Sequence, residues 1–362
     1  MPTGARLKGD TLKLEVYIIM DIFITNSWNN YLNLFSPETK DIYYFEEYVN
    51  LYKSAQEEPL CMVALENDKC MLFPFLQREF QYCNKKYYDF ETPYGYGGPI
   101  FNVNDETFIN NSLRKLFHEF TQNNYIAGFV RFHPLLQNYS QFDTIGQIIF
   151  DRKTIAIDIS LPEEDIWMKE IHTKNRNVIK KAQKNGLEFI VDNEFEHLSQ
   201  FISLYDSTMN KLSADDFYYF KDTYYTSLKN TLRNSFLGLV KKEETLLSAA
   251  IFFYCGPYGH YHLSGSNQDF LNLSPNNFMI YKAAIELKSR GVKHFHLGGG
   301  TTSNENDSLF CFKSRFSNHQ YQFVIGKLIF NPTIYQILCD NWMKRYPEKV
   351  DHYKHFLLKY KY

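Results

Sequence analysis

Residues 274–300 read SPNNFMIYKAAIELKSRGVKHFHLGGG, and their reading decides the fold. Ser274 is placed to cap a helix, Pro275 suits a first helical turn, and Gly291 closes the apolar run between them. VKHFHL then reads as a strand that delivers the chain into three glycines. A helix followed by a strand that ends in a special loop is the α/β arrangement that places ligand sites at carboxyl ends of strands. Three glycines in succession lose much backbone entropy and pack no side chain. Two readings stand for them: a flexible turn, or a backbone lining against which a ligand lies flat. GGGTTS lacks the third glycine and the apolar helix of a dinucleotide fingerprint, and no GxxxxGK loop occurs.

Upstream, SFLGLVKKEETLLSAAIFFYCGPYGHYHLSGS reads as three antiparallel strands with turns at KKEE and CGPYG. LPEEDIWMKEIHTKNRNVIKKAQKNG carries acidic residues early, basic residues late and Gly186 at its stop, the charge order a helix dipole favours. FEHLSQFISLYDSTMNKL is a further amphipathic helix. The first part of the chain has the same alternation. EPLCMVALEND and KCMLFPFLQREF read as adjacent strands, Phe108, Leu113, Leu116, Phe117 and Phe120 share a helical face, and AGFVRFHP is the strand after it. Alternating strands and helices predict a mixed α/β (α+β) layer architecture.

At 362 residues the chain exceeds the usual size of one core, so two domains are expected, at 20–155 and 156–345, with a tail at 346–362. Residues 1–19 read as a leader or extension before MDIFITNSW. The composition is globular, with 44% hydrophobic residues. A net charge of -2 confines any nucleic-acid contact to a local patch and excludes a broadly basic DNA-binding surface. Six scattered cysteines without a CxxC pair read as reduced thiols of a cytoplasmic protein. VYIIMDIFI is too short for a transmembrane segment, and no cleavage site follows it.

Lys313, in FCFKSRF, lies among aromatics. It is either a solvated stem end or an ammonium held to stabilise an oxyanion. The basic run KNRNVIKKAQKNG, with Arg176, Lys180 and Lys181, is a solvated helix face or a phosphate-binding surface. His260/His262 and His294/His296 each share one side of a strand, but no third ligand lies nearby, so they read as ordinary strand histidines and no metal site is expected. DFETPYGYGGPIF at 89–101 is a turn or an aromatic wall for a sugar or base. No GxSxG elbow or HExxH is present.

TPYGYGGPI (92–100), GFVRFHPLLQN (128–138), KNRNVIKKAQKNG (174–186), LYDSTMNKLSADDFYYF (204–220), YHLSGSNQDFLNLSPNNFMIYKA (261–283) and HLGGGTTSNENDSLFCFKSRF (296–316) occur in this order. Together they resemble the FemA/FemB/FemX family of aminoacyl-tRNA-dependent transferases within the GNAT (Gcn5-related N-acyltransferase) superfamily. The resemblance implies two tandem GNAT-like domains, each a twisted, mostly antiparallel sheet flanked by helices, and acyl transfer onto a primary amine of a cell-envelope, peptidoglycan-type precursor. By the same resemblance, Lys313, beside Phe312, stabilises the tetrahedral intermediate. Arg176, Lys180, Lys181, His262, Ser264, Asn276, Asn277 and Gly298, Gly299 and Gly300 line the donor side. Tyr94, Tyr96, Gly97, Arg131 and His133 line the acceptor side, although Arg131 and His133 have the alternative of tying the domains together.

No tightly bound cofactor is implied; the co-substrate is aminoacyl-tRNA, making tRNA a partner, or acyl-CoA with an amino sugar of surface polysaccharide as acceptor. A non-catalytic RNA- or sugar-binding relative is the third reading. Asn102 stands where the family carries an acidic residue, which puts a carboxylate role there in doubt. The absence of charged heptads favours the compact FemX-like form. The absent Q/R-x-x-G-x-G/A loop favours aminoacyl-tRNA over CoA.

Overall fold

The computed structural model describes residues 20–362, so the expected leader at 1–19 lies outside the described residues. Strands β1 (Asp21–Thr25), β2 (Glu57–Glu66), β3 (Lys69–Tyr82), β4 (Lys85–Glu91) and β5 (Ile100–Phe101) precede helix α1 (Glu106–Gln122). Then come β6 (Tyr125–Arg131), β7 (Gln147–Asp158), α2 (Thr173–Lys184), β8 (Glu188–Asp192), α3 (Leu198–Lys211) and α4 (Asp222–Thr231). The meander β9 (Ser235–Lys242), β10 (Thr245–Cys255) and β11 (Tyr258–Ser266) leads into α5 (Pro275–Ser289) and β12 (His294–Gly299). The chain ends with α6 (Ser308–Lys313), β13 (Gln320–Ile329) and α7 (Pro332–Arg345), followed by short helical turns.

All strands join one sheet in the order β1-β2-β3-β4-β6-β13-β7-β12-β11-β10-β9-β8, with β5 alongside β3. The same unit occurs twice. In the first half, β2-β3-β4 form an antiparallel meander, α1 crosses over, and β6 returns parallel to β4. In the second, β9-β10-β11 meander, α5 crosses, and β12 returns parallel to β11. After each returning strand the chain crosses to the other half. β7, which follows β6, pairs with β12, whereas β13, which follows β12, pairs with β6. These two exchanged strands also pair with each other along the sheet centre.

Local chemistry explains the hairpins. Glu66 faces Lys69 across a turn in which Asn67 takes φ 58°, a left-handed conformation that asparagine tolerates. The aromatic excess fills the cores. Phe73, Phe75, Phe90 and Phe132 pack with Phe120 of α1 in one, and Phe236, Phe252 and Phe295 pack with Phe278 of α5 in another.

Two local expectations change. Ser274 makes no side-chain cap, because it takes φ 59°, and its carbonyl accepts from Phe278 instead. The segment 163–184 is not one helix. A wide turn over Ile166–Glu170 ends at extended Ile171, and α2 begins afresh at Thr173. Arg176 holds that break, donating to the carbonyls of Ile171 (2.6 Å), Met168 (3.1 Å) and Trp167 (3.4 Å). These are carbonyls that a helix end leaves unpaired.

Candidate active site

Each of the three glycines answers a different constraint. A side chain on Gly298, at φ +77°, would place its Cβ 3.3 Å from Lys313 Nζ and 3.9 Å from the Tyr96 hydroxyl. On Gly299 it would meet the Lys153 carbonyl at 2.7 Å, and on Gly300 it would overlap the Asp307 carboxylate. Asp307 accepts from the backbone N–H groups of Leu309 and Phe310, each at 3.0 Å, so it caps α6, and it also accepts from the Thr301 and Thr302 hydroxyls. The polar stretch after the glycines is therefore a loop gathered on one carboxylate. Of the three glycines, only Gly298 would set an added Cβ against the lysine side chain.

Lys313 ends α6 and is buried, 8% exposed. Its Nζ donates to the Gly299 carbonyl at 2.8 Å. Burial drives this ammonium down to about 7; Asp307 opposes the shift and Arg152 adds to it. An ammonium has three N–H donors, so this bond leaves donors for a ligand over Gly298. The Tyr96 ring lies across the same point, packed on His133, His296 and Phe323.

The sheet opens beside these groups. β11 and β12 pair only at Tyr258/His294, Gly259/Phe295 and His260/His296. Beyond that, β11 continues toward Ser266 on β10, while β12 continues to Gly299 on β7. Ser264 lies on the freed stretch of β11. Asn276 and Asn277 open α5: Asn276 Oδ1 accepts from Ser266 at 2.8 Å, and Asn277 donates to the buried Asn175 at 2.6 Å. Asn175 reaches the Arg315 carbonyl at 3.4 Å. Lys313 and Tyr96 meet Gly298 and Gly299 on the β12 side of this parting, and Ser264, Asn276 and Asn277 lie along the β11 and α5 side. The Phe312 ring packs edge-on against Phe316 at 5.5 Å.

Other expected site residues have different partners. Arg176 is engaged by the carbonyls of the broken helix above. Lys174, Lys180, Lys181 and Lys184 are exposed along α2, with Lys180 5.7 Å over the Trp167 ring. His262 sits in an aromatic nest, its Nε2 2.8 Å from the Tyr224 hydroxyl and 3.2 Å from that of Tyr52; burial drives it down to about 3. Tyr94 turns to the same nest, its ring against Phe217, Phe220 and His262. Gly97 is fixed through its backbone, donating to the Arg131 carbonyl at 2.7 Å and accepting from Tyr44 at 3.0 Å. Arg131 pairs with Glu91 at 3.0 Å and donates to the Thr92 carbonyl at 2.6 Å, and Glu91 also takes Lys361. Arg131 thus ties Glu91 and Thr92 within the first half.

His133 is fully buried and points at Asp41, a residue that sequence reasoning missed. Asp41 Oδ2 takes His133 Nε2 at 2.8 Å and His260 Nε2 at 2.6 Å, so one carboxylate clasps a histidine from each half. The three groups are close enough to hold a metal ion. Their spacings are those of N–H···O bonds, however, and shorter than the roughly 3.3 Å between ligands around tetrahedral zinc. Asp41 precedes the apolar run IYYF and caps its turn, the only local signal of its role.

Gly298→Ala is expected to cost about 1–2 kcal/mol through its positive φ and to lower turnover further by displacing Nζ. Gly291→Ala, at φ +86° with open space around it, carries only the backbone cost. Urea midpoints and turnover of the two variants, measured side by side, separate these effects.

Residues 171–306 match the family model described as an acetyltransferase (GNAT) domain. This match to an acetyltransferase domain supports an acyltransferase. Among solved structures it is similar to the crystal structure of FemX, at 16% identity and a TM-score of 0.66 over 88% of this chain and 99% of that one. It is also similar to the C-terminal domain of a putative lysylphosphatidylglycerol synthetase from Agrobacterium fabrum, at 12% identity and TM-score 0.52 over 82% and 90% of the chains. A tandem GNAT protein from the clavulanic acid biosynthesis pathway aligns at 6% identity and TM-score 0.50 over 87% and 99%. No curated protein matches by sequence. These likenesses establish the fold, a mixed α/β architecture of tandem GNAT type. Among the described residues, no helix is long and apolar enough to cross a membrane.

Proposed function

We propose that this protein transfers an aminoacyl group from aminoacyl-tRNA to a primary amine of a peptidoglycan-type precursor, in the cytoplasm. The observation that carries the reading is the buried Lys313 ammonium above Gly298, where β11 and β12 part. The amine nitrogen attacks the donor's ester carbonyl, and negative charge grows on the carbonyl oxygen. Lys313, already desolvated and held by the Gly299 carbonyl, donates to that oxygen; a preorganised donor in a dry site is worth far more than one in water. Collapse of the adduct breaks the ester C–O bond; the amine loses one proton and the departing ribose oxygen gains one from solvent, leaving as the hydroxyl. The exposed lysines of α2 offer phosphate contacts to the tRNA, and Ser264, Asn276 and Asn277 border the donor.

A second reading rests on the family match, whose description is an acetyltransferase. In it the donor is an acyl-CoA, the acceptor an amino sugar, and the leaving group a thiolate.

Calorimetry at two salt concentrations distinguishes the two, with a charged tRNA mimic and acetyl-CoA titrated separately. Affinity for the mimic that falls steeply with salt supports the first reading, because neutralising phosphates releases counterions. Saturable acetyl-CoA binding without affinity for the mimic replaces it with the second.

A further inference from the structure

Asp41, His133 and His260 are buried together, yet their hydrogen bonding is asymmetric. His133 is complete: Nε2 donates to Asp41, and Nδ1 accepts from the Leu136 N–H at 3.2 Å. His260 donates from Nε2 to the same carboxylate, but its Nδ1 is buried and has no partner. His296, the register partner of His260 on β12, likewise has a buried, unpartnered Nε2, and the two rings lie 5.8 Å apart. Unpaired buried nitrogens are uncommon, and these two, on neighbouring rings with no hydrogen bond between them, line a polar track. The next ring along is Tyr96, 5.2 Å from His296, which leads to Gly298 and Lys313.

Charge gives the track a direction. With both histidines neutral, the Asp41 carboxylate leaves one net negative charge in a fully buried cluster, and uncompensated buried charge is costly. One proton on His260 Nδ1 cancels it. The carboxylate also fixes His260 in the tautomer whose Nδ1 is a free lone pair.

We propose that Asp41 and His260 form a buried proton-accepting pair that takes up, by way of Tyr96 and His296, the proton released by the attacking amine. This rests on the acyl-transfer reading above. One N–H bond of the adduct's ammonium breaks, one N–H bond forms at His260 Nδ1, and the cluster passes from one negative charge to neutral before the proton returns to solvent. Asn102, where the resemblance places an acidic residue, is committed elsewhere: its side chain accepts from Cys70 N–H at 2.7 Å and donates to the Asp68 carbonyl at 2.7 Å. The titratable groups facing His260 are Asp41 and Tyr43 from the turn before β2, His133 after β6, His296 on β12, and His262 and Tyr258 on its own strand.

His133 supplies an internal control, because it makes the same contact to Asp41 without a free nitrogen. His260→Gln is expected to lower kcat about 10²-fold, with KM and urea midpoint near wild type, whereas the loss of kcat in His133→Gln is expected to be at least about tenfold smaller than in His260→Gln. Transfer is followed onto a lysine-containing peptide with the charged tRNA mimic, or onto glucosamine with acetyl-CoA. Equal losses in both variants, unchanged turnover in His260→Gln, or stoichiometric metal in the purified protein would overturn the proposal.

A readout without substrate is nitrogen NMR of the full chain labelled at histidine. His260 is expected to carry hydrogen on Nε2 and none on Nδ1, an assignment lost in Asp41→Asn. Hydrogen fixed on Nδ1 overturns the proposal whatever the fate of the transfer reading. If the NMR tautomer holds and neither donor supports transfer, the acyl-transfer reading is what has failed, and the pair's role falls with it.

Discussion

Lys313→Met is expected to lower kcat by about 10²–10³-fold, the usual cost of removing one donor to a developing oxyanion, with KM little changed. Methionine keeps the length and apolar stem of the lysine and removes the charge. Stability is expected to move the other way. Burial holds the folded-state ammonium at about 7 against 10.5 for a free lysine, so the folded chain releases this proton more readily than the unfolded one. The resulting destabilisation is fully present below pH 7 and is relieved as pH rises toward 10.5. Lys313→Met is therefore at least as stable as wild type at pH 6, while nearly inactive. The same protonation sets the wild-type rate profile: the ammonium is the active form, so turnover falls as pH rises through about 7. Lys313→Arg stays charged at every accessible pH, and its alkaline fall is expected to disappear even where misplacement of the guanidinium lowers the maximum. A lysine variant that raised KM and left kcat intact would place the residue in binding alone.

Much of the local architecture was legible. The hairpins of the second meander announce themselves in KKEE and CGPYG and the β2–β3 hairpin in the turn at Asn67, whereas β4 was not read, and α5 and β12 follow from one run of sequence. These are short-range signals, in which turn chemistry and periodicity act within a dozen residues. The exchange of β7 and β13 was not legible, because Ile325 pairs with Arg131 and Gly298 with Ile155 across long loops in the chain, and nothing in either strand's alternation names its neighbour. The site divided the same way. Lys313 among aromatics and the glycine run were visible, but the reason for each glycine lies in Lys153, Asp307 and Lys313 itself. Arg131, Arg176 and His262 have the chemistry of ligand-binding residues, and only the fold shows their polar atoms engaged by Glu91, by helix-end carbonyls and by tyrosines. Asp41 lay outside every recognised motif because its two histidine partners are 92 and 219 residues away.

Asp41→Ala is expected to destabilise the chain by about 2–5 kcal/mol, seen as a lower urea midpoint at unchanged slope. The magnitude follows from what is left behind. The substitution strands the Nε2–H groups of His133 and His260, both buried, and removes the acceptor for the Ile42 N–H at 2.6 Å. Small shifts cannot bring in a replacement, since the cluster is walled by Tyr43, Tyr96 and Tyr258. His133 and His260 belong to different halves, so the loss weakens the seam between them rather than either core. Asp41→Asn keeps an acceptor oxygen for one histidine and is expected to recover much of the stability while remaining slow in transfer. If Asp41→Ala and Asp41→Asn lost stability and turnover in fixed proportion, the carboxylate would be only a clasp. A variant that folds well and transfers poorly shows that its charge also serves the chemistry.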